Sequence, residues 1–268
     1  MTNKHGDFIW YELMIGDVGA AQQFYGPLLG WDFAKSGAGD MAYREILVDG
    51  NPIGGLMALT REMTESGAEP CWLGYITVED VDRMAEAIES AGGSVHLSPR
   101  DIPEVGRFAL VTDPTGAMFY VMKPIPPADD PNFTSMAFAA TEPMLGHCAW
   151  NELASSDPER ALNFYHDLFG WEKDGEMDMG PVGKYEFLRH DHMIGAIMPK
   201  AETSPASAWT FYFRVADIDA AASRIEQERG TILQPPIEIP GGDYALIARD
   251  PQAARFALVG ARHGEANS

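Results

Sequence analysis

Cysteine is scarce in this chain: Cys71 and Cys148 are the only two in 268 residues, and neither has a counterpart in the internal repeat described below. They can build neither a disulfide framework nor a paired-cysteine metal or redox site, so a reducing cytoplasm is the expected location. Basic residues are few as well, 19 Lys and Arg against 40 Asp and Glu, for a formal net charge of -21. Phosphate backbones and anionic lipid both require clustered cations, which excludes nucleic acid and membrane surfaces as expected partners and would favour a cationic ligand. Long apolar runs are missing too. No stretch reaches the roughly 18 residues a membrane helix needs, and Glu12 and Asp17 interrupt the apolar run where a signal peptide would require continuity.

What is present is a folding composition, with 46% hydrophobic and 22% charged residues. It also contains one sentence written twice. "FYGPLLGW" at 24–31 returns as "FYHDLFGW" at 164–171, and a constant shift of 140 gives ten identities over the 22 positions from Trp10 to Trp31. The correspondence continues through Tyr43 and Tyr185, "IGGLM" and "IGAIM", Trp72 and Trp209, Tyr75 and Tyr212, and the Asp-Pro pairs at 113–114 and 250–251. Two copies of one domain are therefore expected.

Each copy opens on a strand-like stretch, "FIWYELMI" or "HCAWNELA", followed by Asp17 or Asp157 as a helix cap; Pro158 stands at a first helical position, where its missing N–H is harmless. Val18, Ala21, Tyr25 and Leu28 make one helical stripe, and Gly30 and Gly170 end the helices with a left-handed cap. "DFAKS", "AYREILVD" and "PIGGLMALT" read as strands, then a second strand and helix begin at Trp72 with Asp80 as the cap, and "DPTG" at 113–116 reads as a type I turn. Each copy is thus two βαβββ units. The expected bounds are 5–123 for the first domain, 124–146 for a linker with five prolines, 147–262 for the second domain and 263–268 for a polar tail.

Four such units with an Asp-capped "FYxxLxGW" helix and a closing Asp-Pro turn resemble the vicinal oxygen chelate superfamily, which includes glyoxalase I, extradiol dioxygenases and bleomycin-resistance proteins. The resemblance implies an α+β fold, with four βαβββ units forming two incomplete-barrel domains in tandem, each around a cavity. It also implies that metal-dependent members carry His, Gln or Glu at four cavity-facing strand positions. By the family's spacing the first is Trp10 or Trp150, the second Leu73 or Thr210, and the last Tyr120 or Ala257, while "NPIGGLMALT" and "MIGAIMPK" offer no Asp, Glu or His. Neither metal nor cofactor is expected, since a divalent cation needs several N or O donors in fixed geometry. His190 and His192 in "RHDHM" are read as surface residues at a hairpin turn, and His96, His147 and His166 stand alone.

Strand alternation places Trp10 and Glu12 on one face, with Trp150 and Glu152 repeating them; Leu73, Tyr75 and Thr77, or Thr210, Tyr212 and Arg214, share the corresponding face. Trp10, Met57, Tyr75, Tyr120, Trp150, Met198, Tyr212 and Arg214 are the candidate ligand-binding residues, their apolar bodies suiting an aromatic ligand. Glu12 and Glu152 are the candidate catalytic residues, and as buried carboxylates they need partners, for which Tyr75, Tyr212 and Arg214 are the candidates. The leading function is a metal-independent small-molecule-binding protein of the glyoxalase and bleomycin-resistance type, with a cationic or aromatic ligand in the cavity of each domain. The alternative is a glyoxalase-like lyase or isomerase, of the lactoylglutathione-lyase type, acting on a small carbonyl compound. Both a monomer and a homodimer are compatible with the duplication, and an extradiol dioxygenase fits worst.

Overall fold

Asp17 starts the first helix as its position predicts, with Oδ1 accepting from Ala20 N at 2.9 Å, and Asp157 does the same for Arg160 N at 3.1 Å. Gly30 and Gly170 close these helices at φ 70°, where a side chain would be strained. The computed structural model describes residues 3–35, 43–128, 130–139 and 141–263. The first copy runs β1 (Phe8–Ile15), α1 (Val18–Leu29), β2 (Asp32–Lys35), β3 (Tyr43–Val48), β4 (Asn51–Ala58), α2 (Arg61–Glu65), β5 (Cys71–Thr77), α3 (Val81–Ser90), β6 (Ser94–Ile102), β7 (Gly106–Thr112) and β8 (Met118–Pro124). The second runs β9 (Cys148–Ser155), α4 (Pro158–Phe169), β10 (Glu172–Asp178), β11 (Lys184–His190), β12 (His192–Pro199), β13 (Ala208–Val215), α5 (Ile218–Gln227), β14 (Thr231–Glu238), β15 (Tyr244–Arg249) and β16 (Arg255–Gly260). The short helix α2 is an addition to the sequence reading. Ser36, Ala42 and the tail from 264 onward lie outside the described residues.

Each copy contributes one eight-stranded sheet, in the order β2-β3-β4-β1-β5-β8-β7-β6 and β10-β11-β12-β9-β13-β16-β15-β14. The first strand of every βαβββ unit pairs in parallel with the last, as in Tyr11↔Gly54 and Tyr75↔Tyr120 in the first copy, and the remaining strands form antiparallel hairpins. The expected α+β architecture of four βαβββ units is the observed one.

Compactness cuts across the copies. One unit gathers Met1–Trp10, Leu73–Ser135 and Asn151–Trp209; the other gathers Tyr11–Trp72, Met136–Trp150 and Thr210–Ser268. The repeated aromatic motif explains this grouping. In the first unit, Tyr165 of α4 donates to Asp113 Oδ2 at 3.3 Å and receives the indole N–H of Trp209 at 3.2 Å. The Oδ1 of Asp113 accepts from Thr115 N, Thr115 Oγ1 and Ala117 N at 2.7, 2.8 and 3.0 Å. In the second unit, Tyr25 of α1 donates to Asp250 Oδ2 at 3.0 Å and receives Trp72 Nε1 at 3.3 Å. There Gln252 N and Ala254 N satisfy Oδ1 at 2.8 and 3.0 Å. A buried carboxylate without such donors would cost several kcal/mol, about what would unfold a marginal domain.

The closing tryptophan of each motif extends the same tie. Trp31 Nε1 donates to Gly146 O at 2.8 Å in the second unit, and Trp171 Nε1 to Gly6 O at 2.9 Å in the first. Trp171 also stacks on Tyr165, centroids 4.8 Å apart and planes 11° apart. The proline-rich segment is pinned where it passes: Ile125 N donates to Val105 O, Ser135 Oγ to Ile9 O, and Cys148 N to Ala137 O.

Burial outweighs the hydrogen bonds at both aspartates and raises their pKa above the ordinary 3.8. The folded chain therefore holds these two protons at pH values where the unfolded chain has released them. Their contribution to stability is greatest below 3.8 and declines as pH rises through the folded values. Chemical denaturation of the Asp113→Asn, Asp250→Asn double variant should show this decline removed between pH 4 and neutrality, relative to the parent. Parallel stability curves for the two proteins would contradict the assignment.

Candidate functional site

On the first copy's sheet, Tyr75 of β5 lies in register with Tyr120 of β8. Their rings stack with centroids 4.3 Å apart and planes 18° apart, and Phe108 of β7 stands 5.9 Å from Tyr120. Trp10, half-buried on β1, belongs to the same compact unit. In the second copy Tyr212 of β13 is in register with Ala257 of β16. Tyr212 and Ala257 share a buried apolar cluster with Ala149, Ala245, Ile247 and Val259, and the partly buried Trp150 and Ile239 pack against it. Trp150, Tyr212 and Ala257 thus come together on one face, as strand alternation requires.

Arg214 follows two residues after Tyr212 and pairs in register with Val259 of the cluster. Its Nη1 donates to Asp243 Oδ2 at 2.9 Å, which corrects the expectation that it serves a buried glutamate. Asp243 arrives on the β14–β15 turn, where Gly241 and Gly242 take φ values of 104° and 89°. Asp243 O in turn accepts from Ile239 N at 2.9 Å. The Nε of Arg214 is buried and meets no acceptor.

The candidate glutamates are both buried, Glu12 to 4% exposure and Glu152 to 7%. Tyr185 of β11 donates to Glu152 Oε2 at 2.9 Å, a partner the sequence reading did not name. Its signal was available, because Tyr185 repeats Tyr43. Tyr43 lays its hydroxyl over Gly55, the β4 residue in register with Glu12, where an added Cβ would lie 2.0 Å from it. Met57 sits opposite Met14 and Tyr43, and Met198 opposite Ala154. Burial, together with the charges of Glu12 and Glu69, pushes the Cys71 thiol up to about 11, and burial pushes Cys148 up to about 12. Neither is a thiolate nucleophile at neutral pH.

Two of the isolated histidines engage backbone carbonyls. His147 Nδ1 lies 2.6 Å from Met136 O, and His166 Nδ1 lies 3.0 Å from Trp171 O. His190 does flank the hairpin turn at Asp191, but it is half-buried rather than on the surface, its Nε2 3.4 Å from Asp7 Oδ1. Gly6 and Asp7, from the segment before β1, lie against it, which the sequence pattern of the second copy alone does not reveal.

At the positions where the metal-dependent relatives implied by the sequence would place ligands, the donor chemistry does not fit a chelated cation. Trp150 and Ala257 lie in an apolar cluster, Tyr120 stacks on Tyr75, and Thr210 Oγ1 accepts from Arg255 Nε at 3.2 Å. Among the described residues no three His, Cys, Asp or Glu side chains converge.

The paired βαβββ units define a fold of the glyoxalase class. Residues 8–121 and 144–258 match the Glyoxalase/Bleomycin resistance protein/Dioxygenase superfamily, and the chain belongs to that family. It is 29% identical over 259 residues to "Putative glyoxylase CFP32" of Mycobacterium tuberculosis, covering 96% of this chain and 95% of that one. It is 27% identical over 274 residues to the anthracycline biosynthesis protein DnrV of Streptomyces peucetius, covering 95% and 93%. Among solved structures, the Mn(II)-bound glyoxalase of Novosphingobium aromaticivorans superposes with a TM-score of 0.64 at 16% identity, covering 98% of this chain and 84% of that one. The 2,2',3-trihydroxybiphenyl 1,2-dioxygenase of Sphingomonas wittichii gives 0.66 at 13%, covering 99% and 94%. Likeness at that level of identity shows the fold alone.

Elemental analysis after incubation with manganese, zinc or nickel and gel filtration should find well under one equivalent of any of them per chain. A full equivalent retained, and lost in a Glu12→Gln or Glu152→Gln variant, would contradict the donor argument.

Proposed function

We propose that the chain is a metal-independent small-molecule-binding protein of the glyoxalase and bleomycin-resistance type. It acts in the cytoplasm, as a monomer or homodimer, and holds an apolar or aromatic ligand on the strand faces of its two copies. The observation that supports this reading is that Trp150 packs against an apolar cluster containing Tyr212 and Ala257, at positions where the family resemblance would put the ligands of a chelating relative. Trp10, Tyr75 and Tyr120 give the first copy a related surface, with Met57 and Met198 as adaptable apolar neighbours. Relatives named for anthracycline biosynthesis support an aromatic ligand. The free thiols Cys71 and Cys148 are compatible with a reducing compartment, and among the described residues no helix is long and apolar enough to cross a membrane.

A glyoxalase-like lyase or isomerase is the second reading, favoured by the name of the mycobacterial relative. Glu12 or Glu152 would then take a proton from carbon beside a carbonyl. A base held by Tyr185, as Glu152 is, has one lone pair already engaged, and an enediolate formed there would have only hydroxyl or guanidinium donors to stabilise it.

A thermal-shift screen with cationic glycopeptides and aromatic metabolites should yield stabilising ligands, about 2.7 kcal/mol at a hundredfold excess over Kd. Trp150→Ala should abolish the shift for ligands of the second copy. Absence of any stabilising compound would count against the binding reading. Turnover of methylglyoxal with thiol, strongly raised by zinc or nickel, would replace it with the lyase.

A further inference from the structure

We propose that the second copy carries an oxyanion site, built from Arg249 and Arg255 with Thr210 and Thr231 beside them, which takes the phosphate or carboxylate group of a small metabolite. The site does not depend on the aromatic-ligand reading above.

These residues form one row across the sheet. Thr231 of β14 pairs in register with Arg249 of β15, and Arg249 with Arg255 of β16. Side chains at paired positions leave a sheet on the same side, with Cβ atoms roughly 5 Å apart. Thr210 of β13 closes the row, its Oγ1 accepting from Arg255 Nε at 3.2 Å. Two guanidinium groups therefore stand side by side, both exposed, where β15 ends and β16 begins. Like charges directly opposite one another destabilise a sheet, and an anion bound to both relieves that repulsion.

The chain offers 40 acidic residues against 19 basic ones, yet among the described residues neither of these arginines meets a carboxylate. Arg61, Arg107, Arg189, Arg214 and Arg262 each do. Asp250, which lies between the pair in sequence, spends its oxygens on Tyr25 and on the amides of Gln252 and Ala254. The hydroxyl of Thr210 is a neutral partner and holds Arg255 at Nε alone, so the Nη edge of the planar fork stays available to an oxyanion.

The first copy is an internal comparison. A shift of 137 carries Thr231, Arg249, Arg255 and Thr210 onto Ser94, Thr112, Met118 and Leu73. Ser94 pairs with Thr112, and Thr112 with Met118, in the register of the second copy. The same row is thus built without charge, and the frame requires a cation at neither position. What the second copy adds is two fixed positive charges without an ion-pair partner among the described residues. The negative field of a chain with net charge -21 repels extended polyanions, which leaves a small oxyanion as the ligand this local pair selects.

Isothermal titration of the full chain at fixed ionic strength, with glycerol 3-phosphate, succinate and uncharged glycerol, tests the proposal. The expected result is one anion bound per chain and no binding of glycerol; the tighter of the two anions tells a phosphate site from a carboxylate site. Arg249→Thr and Arg255→Met, which copy the first domain's residues, should each weaken that binding about tenfold or more. Without anion, Arg249→Thr should melt no lower than the parent, because the repulsion is gone. If Arg255→Met misfolds, Arg249→Thr alone decides the question. No binding of either anion, or an affinity that Arg249→Thr leaves unchanged, would overturn the proposal.

Discussion

A tyrosine hydroxyl donating to a buried aspartate is the interaction on which the rest of the arrangement depends. Tyr25 reaches Asp250 and Tyr165 reaches Asp113, so each helix of one copy is fastened to the Asp-Pro turn of the other. A carboxylate removed from water tolerates only positions where donors surround it, and backbone amides of the turn plus one phenol provide them. Because every copy supplies both a tyrosine and an aspartate, the tie forms twice. The tryptophans reinforce it from either side, Trp72 and Trp209 donating to the tyrosines and Trp31 and Trp171 to backbone carbonyls. Duplication of "FYxxLxGW" thus supplies one tyrosine hydroxyl to each of the two buried aspartates.

Much of the fold was legible in the residues. Asp17, Asp80 and Asp157 cap helices where their side-chain chemistry says they should, and Gly30 and Gly170 end them by the left-handed turn. The pairing of halves across copies was not legible, because Tyr25 and Asp250 are separated by 225 positions and nothing local marks them as partners. Register was readable only in part. Strand alternation put Trp150 with Tyr212, but it could not show that Ala245 and Ile247 complete that cluster. Nor could it show that Arg214 would be met by Asp243 on a glycine-rich turn. The Tyr185 partner of Glu152 was the nearest miss: the repeat displayed the tyrosine twice, yet hydrogen-bond reach across β11, β12 and β9 is a property of side-chain length and sheet register together.

The same duplication that builds the scaffold leaves the strand faces free to diverge. The turn aspartates and motif aromatics are fixed by burial, and changing Asp113 or Asp250 would leave buried polar groups without partners. On the strand faces the copies depart from one another: tyrosine or alanine opposite the retained tyrosine, threonine or arginine two residues on. Chemistry in a family of this kind sits in side chains grafted on a common frame.

Native-state hydrogen exchange of Tyr25→Phe tests the central tie most directly, because it reports which strands open together. Loss of this hydroxyl is predicted to lower protection in β1–β4 and, at the far end of the sequence, in β13–β16, while β9–β12 keep theirs. Protection lost throughout β1–β8, with β13–β16 unaffected, would mean that the copies stand independently and that the tyrosine–aspartate bond does not hold the structure together.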